Sequence, residues 1–310
     1  MTARAGETGE EGEGTMNETT PPRGRARDRA VFTGAAGNRL VATVAGEGPR
    51  VALLLHGGGQ TRHAWAETAE RLAAAGWTAI ALDQRGHGES EWPAEGAYAF
   101  PDYAGDAAAV ARTVAAERGT RPVAIGASLG GIASLLALGA GAVFSGLVLV
   151  DIVPQMDPRG VAHVQGFMRA RAREGFASVE EAADAVAAYL PHRPRPRSLE
   201  GLRKNLRLDP DGRWRWHWDP RFLDGPRSVN TDWAAVGEAL HEAARNLAVP
   251  SLLVRGGSSE LVSEAAARAF LEMAPATEFA DIAEARHMVA GDRNDAFAAA
   301  ILDFLARRFA

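Results

Sequence analysis

The most informative stretch of the sequence is Gly126-Ala127-Ser128-Leu129-Gly130, which lies between an apolar run and a helical pattern. A strand that turns sharply into a helix holds the residue at the turn in strained backbone geometry, and large neighbours two positions away would clash. Gly126 and Gly130 meet that demand on either side of Ser128. The turn also brings the serine hydroxyl to a helix N-terminus, where free backbone N–H groups favour negative charge. The pattern therefore predicts a strained serine that acts as a nucleophile.

Apolar runs on both sides of this stretch alternate with helical patterns. The runs cover residues 40–45, 50–55, 77–82, 122–125, 145–150, 250–254 and 277–282. Continuous apolar strands separated by helices are typical of a parallel sheet that is covered on both faces. The sequence thus predicts the α/β fold class, with a doubly wound, mainly parallel sheet.

This alternation is missing in two parts of the chain. Residues 1–28 are rich in Gly, Glu, Thr and Arg and show no hydrophobic periodicity, so we expect a disordered tail there. Residues 154–233 contain helical segments and a Pro/Arg-rich piece instead of alternating strands and helices. We therefore predict a core made of residues 29–153 and 234–310, with an inserted, mainly helical cap at 154–233.

A second glycine-rich turn, His56-Gly57-Gly58-Gly59, ends the apolar run 50–55. Glycines after a strand let backbone N–H groups approach a substrate oxygen closely, and a tetrahedral intermediate needs two such donors. The N–H of Leu129, directly after the serine, forms the natural pair with that of Gly58, or alternatively of Gly59. We therefore expect an oxyanion hole between the two turns.

A serine nucleophile needs a general base, and the chain contains eight histidines. His287 lies between the last apolar run and the last helical pattern, and the order of serine before histidine suits this architecture. The remaining histidines lie in glycine turns, in helical patterns or in the predicted cap: His56, His63, His87, His163, His192, His217 and His241. We predict that His287 is the base.

The acid that orients this histidine has two candidates, because a carboxylate follows each of two apolar runs between Ser128 and His287. Glu260 follows the run 252–254 and a short turn, while Asp151 ends the run 146–150. Either carboxylate would orient the imidazole and stabilise its charged form. We favour Glu260, because its strand is next to the strand that leads to His287, and we keep Asp151 as the alternative.

Tryptophans recur with a period of two in the predicted cap, at Trp214, Trp216 and Trp218. In an extended segment all three side chains point to the same side, where they could wall an apolar acyl or aryl pocket. Packing of the cap onto the core explains the pattern equally well. We take these three residues and Met288, the neighbour of the predicted base, as candidate substrate-binding residues.

Composition excludes several kinds of site and partner. The 310 residues carry 34 Lys and Arg against 39 Asp and Glu, a net charge of −5, which argues against a nucleic-acid binder. The absence of cysteine excludes thiol nucleophiles and Cys-ligated metals, and neither a compact metal-ligand motif nor a dinucleotide-binding glycine pattern occurs. No apolar run is long enough to cross a membrane. We expect a cytoplasmic protein that acts on a small molecule without cofactor or metal, in an oligomeric state that the sequence leaves open.

Together with residues 83–90, a glycine-rich stretch that we expect to be structural, these motifs resemble the α/β-hydrolase fold family. More narrowly, residues 30–310 resemble its capped single-domain serine hydrolases, which include esterases, C–C bond hydrolases and cofactor-free perhydrolases. The resemblance implies hydrolysis of a small carboxylic ester, with an apolar acyl or aryl group, through an acyl-enzyme on Ser128. The family's acid is commonly an aspartate, so Glu260 departs from the pattern, and this keeps Asp151 open.

Two alternatives to an esterase follow from the same resemblance. A C–C bond hydrolase or a perhydrolase would use the same serine, histidine and acid. A catalytically silent ligand-binding module on the hydrolase fold is the alternative from a different class.

Overall fold

The structure, a computed structural model, describes residues 28–193, 195 and 198–310. The tail predicted for residues 1–28 lies outside the described residues, apart from Asp28. That residue begins the first strand, so it belongs to the folded part of the chain.

Strands and helices alternate through most of the described chain. The strands are β1 (Asp28–Thr33), β2 (Arg39–Ala45), β3 (Arg50–Leu55), β4 (Trp77–Leu82), β5 (Val123–Ala127), β6 (Gly146–Val150), β7 (Leu206–Leu208), β8 (Trp214–Trp216), β9 (Ser251–Gly256) and β10 (Glu278–Ile282). The helices are α1 (Ala66–Ala74), α2 (Phe100–Arg118), α3 (Leu129–Ala140), α4 (Pro158–Arg169), α5 (Val179–Tyr189), α6 (Glu200–Arg203), α7 (Arg221–Asp224), α8 (Trp233–Arg245), α9 (Glu264–Met273), α10 (Val289–Asp292) and α11 (Asn294–Arg308), with a 3₁₀ turn at Arg62–Trp65 before α1. Among the helices of the described chain, none combines the length and the apolar character needed to cross a membrane.

Eight strands form one sheet in the order β1-β2-β4-β3-β5-β6-β9-β10. From β4 to β10 all neighbouring strands are parallel, while β2 runs antiparallel to both β1 and β4. The carboxyl ends of β3, β5, β6 and β9 therefore meet at one edge, where ligands bind in open α/β sheets. The predicted doubly wound, mainly parallel sheet is confirmed.

The two faces of the sheet bury separate apolar cores. In β3, Leu53 and Leu55 pack with α2, α3 and α8, whereas Ala52 and Leu54 pack on the opposite face with α1 and α11. Successive side chains of a strand point to opposite faces, so a strand that is covered on both sides must be apolar throughout. This explains why the strands are continuous apolar runs in the sequence.

The segment from Asp151 to the start of α8 departs from this alternation, and we call its residues 152–232 the insertion. It contains α4 to α7 and an antiparallel pair formed by β7 and β8. A backbone bridge between His87 and Trp218 attaches it to the core, and the N–H of Tyr98 donates to the carbonyl of Arg227 at 2.7 Å. The next helix, α8, begins at Trp233 and packs on α3 of the core.

Candidate active site

Ser128 lies in the sharp turn between β5 and α3, with φ +46° and ψ −112°. A Cβ on Gly126 would lie 2.4 Å from the carbonyl oxygen of Gly130, and one on Gly130 would lie 2.2 Å from that of Leu55. Both distances are far below van der Waals contact, so only glycine fits at either position. The structure therefore gives the physical reason for the small residues that flank the serine in the sequence, and a strained serine lies between them.

The imidazole of His287 is held by Asp151. Its Nδ1 lies 2.8 Å from Oδ2 of the aspartate, which is fully buried and follows β6 directly. The N–H of Gly256 donates to Oδ1 at 3.0 Å, and the Ser259 hydroxyl donates to Oδ2 at 2.6 Å. These donors fix the orientation of the carboxylate beside Nδ1, and His287 is one of the residues that line the cavity described below.

The preference for Glu260 as the partner of the imidazole is wrong in this structure. Its carboxylate instead accepts the backbone N–H of His287, with Oε2 at 3.4 Å from that nitrogen. β9 ends at Gly256, so a further turn separates Glu260 from the strand, whereas Asp151 stands immediately at the end of β6. Asp151, the second of the two candidate acids, therefore occupies the position beside Nδ1.

The glycine turn after β3 lies close to the serine, because a Cβ on Gly57 would lie 3.5 Å from Cβ of Ser128. Among its three glycines, the N–H of Gly57 donates to Oε1 of Gln60 at 3.0 Å, and that of Gly59 donates to Nε2 of His87 at 3.1 Å. These bonds argue against Gly59 as an oxyanion donor and favour Gly58. The second expected donor, the N–H of Leu129, is the first of helix α3.

Two buried histidines support this turn in their neutral forms. His56 accepts the N–H of Gln84 at Nε2, and His87 accepts that of Gly59. Burial lowers the pKa of His56 to about 4 and that of His87 to about 3, because the charged ring would lose its hydration. Each Nδ1 lies beside a backbone carbonyl, of Gly57 and Arg85 respectively, to which it donates. Neutral rings with Nδ1 protonated can accept at Nε2, and this fixes the backbone of the turn.

Ser128 and His287 line a common cavity of about 430 Å³ between the core and the insertion. Most of its lining residues are apolar, and about half of them come from the insertion, with side chains such as Met156, Val161, Val164, Phe167, Met168, Leu190, Phe222 and Leu223. Arg193 is the one arginine or lysine that lines it in the described chain, and its guanidinium already pairs with Asp292. The cavity therefore suits an uncharged, apolar ligand.

The candidate substrate-binding residues are divided by the structure. Trp216, Trp218 and Met288 line the cavity, but Trp214 is not among its lining residues, so the prediction for Trp214 needs correction. β8 contains only three residues, and at its far end the backbone of Trp214 pairs with Phe176. The guanidinium of Arg203 also lies 5.1 Å from the centre of the Trp214 ring.

Several residues of the site were missed in the sequence. Ser259 binds Asp151, and a serine in the glycine turn after β9 was a usable signal, because short hydroxyl side chains often bond nearby groups. Phe167, Tyr189 and Arg193 line the cavity from the insertion. Their positions depend on tertiary packing, and no local pattern indicated them.

The strand order, the serine turn and the late histidine paired with an aspartate define an α/β hydrolase. Residues 49–294 match the model of the family described as serine aminopeptidase, S33, and the chain belongs to this α/β-hydrolase family. The protein is thus an enzyme of the hydrolase class.

Curated relatives and solved structures agree with this assignment. The chain is 33% identical to the esterase Rv0045c of Mycobacterium tuberculosis over 224 residues, which cover 71% of this chain and 70% of the relative. A crystal structure of that esterase has a TM-score of 0.68 at 25% identity, covering 92% of each chain. The 2-(acetamidomethylene)succinate hydrolase of Mesorhizobium japonicum is 33% identical over 198 residues, 61% of this chain and 64% of the relative. The structure of an E-2-(acetamidomethylene)succinate hydrolase shares the fold, with a TM-score of 0.77 at 24% identity over 91% of this chain and 100% of the other.

Proposed function

We propose that the protein is a serine esterase that hydrolyses small carboxylic esters with an apolar acyl or aryl group. The observation that carries this proposal is the pairing of His287 with the buried Asp151 at the wall of an apolar cavity that also contains Ser128. The likeness to a curated esterase over 70% of that relative's length supports it.

In the proposed mechanism the Ser128 hydroxyl attacks the ester carbonyl while Nε2 of His287 takes the hydroxyl proton. Asp151 holds the imidazole through Nδ1 and stabilises the positive charge that the ring gains. The N–H groups of Leu129 and Gly58 donate to the oxyanion of the tetrahedral intermediate. The intermediate collapses to an acyl-serine as His287 protonates the departing alcohol. Water then attacks the acyl-serine by the same route, which releases the carboxylic acid and restores the serine hydroxyl.

The insertion acts as a cap that selects the substrate. It supplies about half of the cavity lining, including Trp216 and Trp218, while the core supplies the reacting groups and the rest of the lining. The lining guanidinium of Arg193 is neutralised by Asp292, so the cavity offers no free cation from the described chain to a dicarboxylate. This electrostatic balance favours a neutral ester as the substrate.

The runner-up is hydrolysis of a C–C or related bond by the same three residues. The likeness to 2-(acetamidomethylene)succinate hydrolase is the observation that supports this hypothesis, although the name of that relative implies a substrate with two carboxylates. A cofactor-free perhydrolase would share the same nucleophile and base. A non-catalytic binding module, in contrast, would leave Ser128 unreactive toward a serine-directed probe.

A panel of p-nitrophenyl esters of graded acyl length, together with a fluorophosphonate probe, tests the proposal. We expect turnover of short to medium acyl esters and labelling of the wild type. Ser128→Ala should abolish labelling and lower ester turnover by about 10³-fold or more, with an unchanged circular dichroism spectrum. Ser145→Ala is the matched control, because Ser145 precedes β6 at the opposite edge of the sheet, where its hydroxyl donates to the carbonyl of Arg121. Labelling that survives in Ser128→Ala would overturn the mechanism.

A further inference from the structure

The backbone on both sides of His287 is bound by one ion pair. Asp292 accepts the N–H of Arg286 at Oδ2, with a distance of 2.9 Å, and accepts Nε of Arg193 at Oδ1. The same guanidinium donates through Nη2 to the carbonyl of Met288 at 3.1 Å. The residue before His287 and the residue after it are therefore both hydrogen-bonded to the pair of Arg193 and Asp292.

The two members of this pair come from different parts of the molecule. Arg193 belongs to the insertion, whereas Asp292 ends the short helix that follows His287 in the core. The carboxylate is buried, with 5% of its side chain exposed, and the guanidinium is 25% exposed. A charge-assisted hydrogen bond that is shielded from water in this way is stronger than a surface ion pair.

The backbone next to the pair is shaped to receive the guanidinium. A Cβ on Gly291 would lie 2.8 Å from Nη2 of Arg193, so a side chain at that position would push the arginine away. The ring of His192, the neighbour of Arg193, lies 3.4 Å from Oδ1 of Asp292 through its Nε2. Two successive residues of the insertion thus meet the same carboxylate.

We infer that Arg193 is a positioning residue, which holds the loop of His287 in its catalytic geometry through Asp292 and the carbonyl of Met288. Because Arg193 belongs to the insertion, that geometry depends on the insertion being packed against the core. This inference rests on the proposed function. The imidazole itself is held from the core, by Asp151. A displacement of about 1 Å in a reacting group can lower the rate by about 10²-fold, so the loop on which the ring stands must also be fixed.

The first test measures kcat and KM of Arg193→Ala with a short p-nitrophenyl ester. We expect kcat to fall by about 10- to 100-fold, with a smaller change in KM and a melting temperature close to that of the wild type. Arg169→Ala is the matched control, because it removes an exposed ion pair with Asp224 inside the insertion and should leave kcat unchanged. An unchanged kcat in Arg193→Ala, or a fall that only follows loss of folded protein, would overturn the inference.

Chemical rescue separates positioning from a general loss of structure. Guanidinium chloride at low millimolar concentration should restore part of the kcat of Arg193→Ala, and sodium chloride at equal ionic strength should not, because only the planar cation can bind both Asp292 and the carbonyl of Met288. Arg193→Lys should keep the charge but recover little rate, for the same reason. Full activity of the lysine variant would show that charge alone suffices, and would overturn the proposed geometry.

The paired residues must also act as one unit. The double variant Arg193→Ala/Asp292→Ala should lose no more kcat than the more affected single variant, because each single change already breaks the link. Losses that multiply would contradict the linkage. Fluorophosphonate labelling of the wild type tests the proposed function separately, so a labelled wild type with an unchanged Arg193→Ala variant would overturn this inference alone.

Discussion

The carboxyl edge of the sheet and the insertion face each other across one cavity, but they are built differently. At the sheet edge, backbone contacts leave little freedom: Gly126 and Gly130 fit without space for a Cβ, and Asp151 binds three partners. Across the cavity, the insertion contributes apolar side chains that touch one another through rings, as Phe167 and Tyr189 do. The core therefore holds Ser128, His287 and Asp151 in place, while the insertion supplies apolar side chains to the facing wall of the cavity.

This difference predicts two kinds of mutant. Changes at the sheet edge should lower kcat for every substrate, because they displace groups that act in the transition state. Changes in the apolar wall should alter the ranking of substrates and leave the proton-transfer groups in place. Arg193 lies in the insertion but contacts the loop of His287. We therefore expect its replacement to lower kcat for every substrate, as changes at the sheet edge do.

The largest effect is expected for the acid at the sheet edge. Asp151→Asn should lower kcat by about 10³- to 10⁴-fold, because the amide no longer stabilises the charged imidazole or selects its tautomer. Glu260→Gln keeps the size of the side chain and an amide oxygen that can still accept the backbone N–H of His287, so loss of the charge should cost about 10-fold or less. Steady-state kinetics of the two variants with one ester gives the ranking. A deeper loss of kcat in Glu260→Gln than in Asp151→Asn would identify Glu260, in the loop after β9, as the acid that orients His287.

A smaller and different effect is expected in the insertion. The rings of Phe167 and Tyr189 stack at 4.0 Å and 8°, and both line the catalytic cavity on one side and an outer hollow between α4 and α5 on the other. Phe167→Ala should join the two spaces and raise the ratio of kcat/KM for long over short acyl esters by about 10-fold. Val164→Ala is the matched control, since Val164 lies on the same helix and lines only the catalytic cavity. An equal change of this ratio in both variants would mean that the cavity volume, and not the wall formed by Phe167 and Tyr189, limits the acyl length of the substrate.

The smallest expected effect concerns stability and pH. His56 and His87 have pKa values of about 4 and about 3 in the folded protein, below the ordinary value of 6.5 that they regain on unfolding. As the pH falls below 6.5, these histidines become protonated in the unfolded chain but stay neutral in the folded protein. The free energy of unfolding therefore decreases by about 1 kcal/mol per histidine per pH unit. Urea unfolding between pH 7 and 5.5 measures this slope. A flat profile in the wild type would show that the two buried rings are not held neutral.

The fold and the proposed nucleophile could be predicted from the sequence because both follow from local rules. Continuous apolar runs imply strands that are buried on both faces, and the structure covers both faces with helices. The glycines around Ser128 are required by contacts with residues that lie close in sequence or at the end of β3. Such requirements leave a pattern that can be recognised without knowledge of the tertiary structure.

The acid could not be chosen in the same way. β6 and β9 are hydrogen-bonded neighbours, so the loops after both strands open beside the loop of His287. The choice depends on the turn after Gly256, which moves Glu260 away from Nδ1 and brings the Ser259 hydroxyl onto Asp151. Asp151 also adopts a positive φ of +50°, which aims its carboxylate and which no local pattern announces.

The tryptophan pattern failed for a related reason. Spacing with a period of two indicates that the side chains share one face of the strand, but it does not indicate how much of that face borders the cavity. Trp216 and Trp218 reach the cavity, while Trp214 lies at the end of β8 under the guanidinium of Arg203. Where a short strand ends relative to a pocket is decided by the packing of the whole insertion.

The positive φ of Ser128 lowers the stability of the fold at the residue whose hydroxyl the proposed reaction requires. A serine with φ +46° carries strain of about 1–3 kcal/mol, which a glycine would largely avoid. Selection for heat resistance alone would therefore favour losing the hydroxyl on which the proposed chemistry depends. Any attempt to make a thermostable form of this enzyme must find its gains elsewhere, in surface ion pairs, helix caps or the packing of the two cores, and must accept the turn after β5 as a fixed thermodynamic cost.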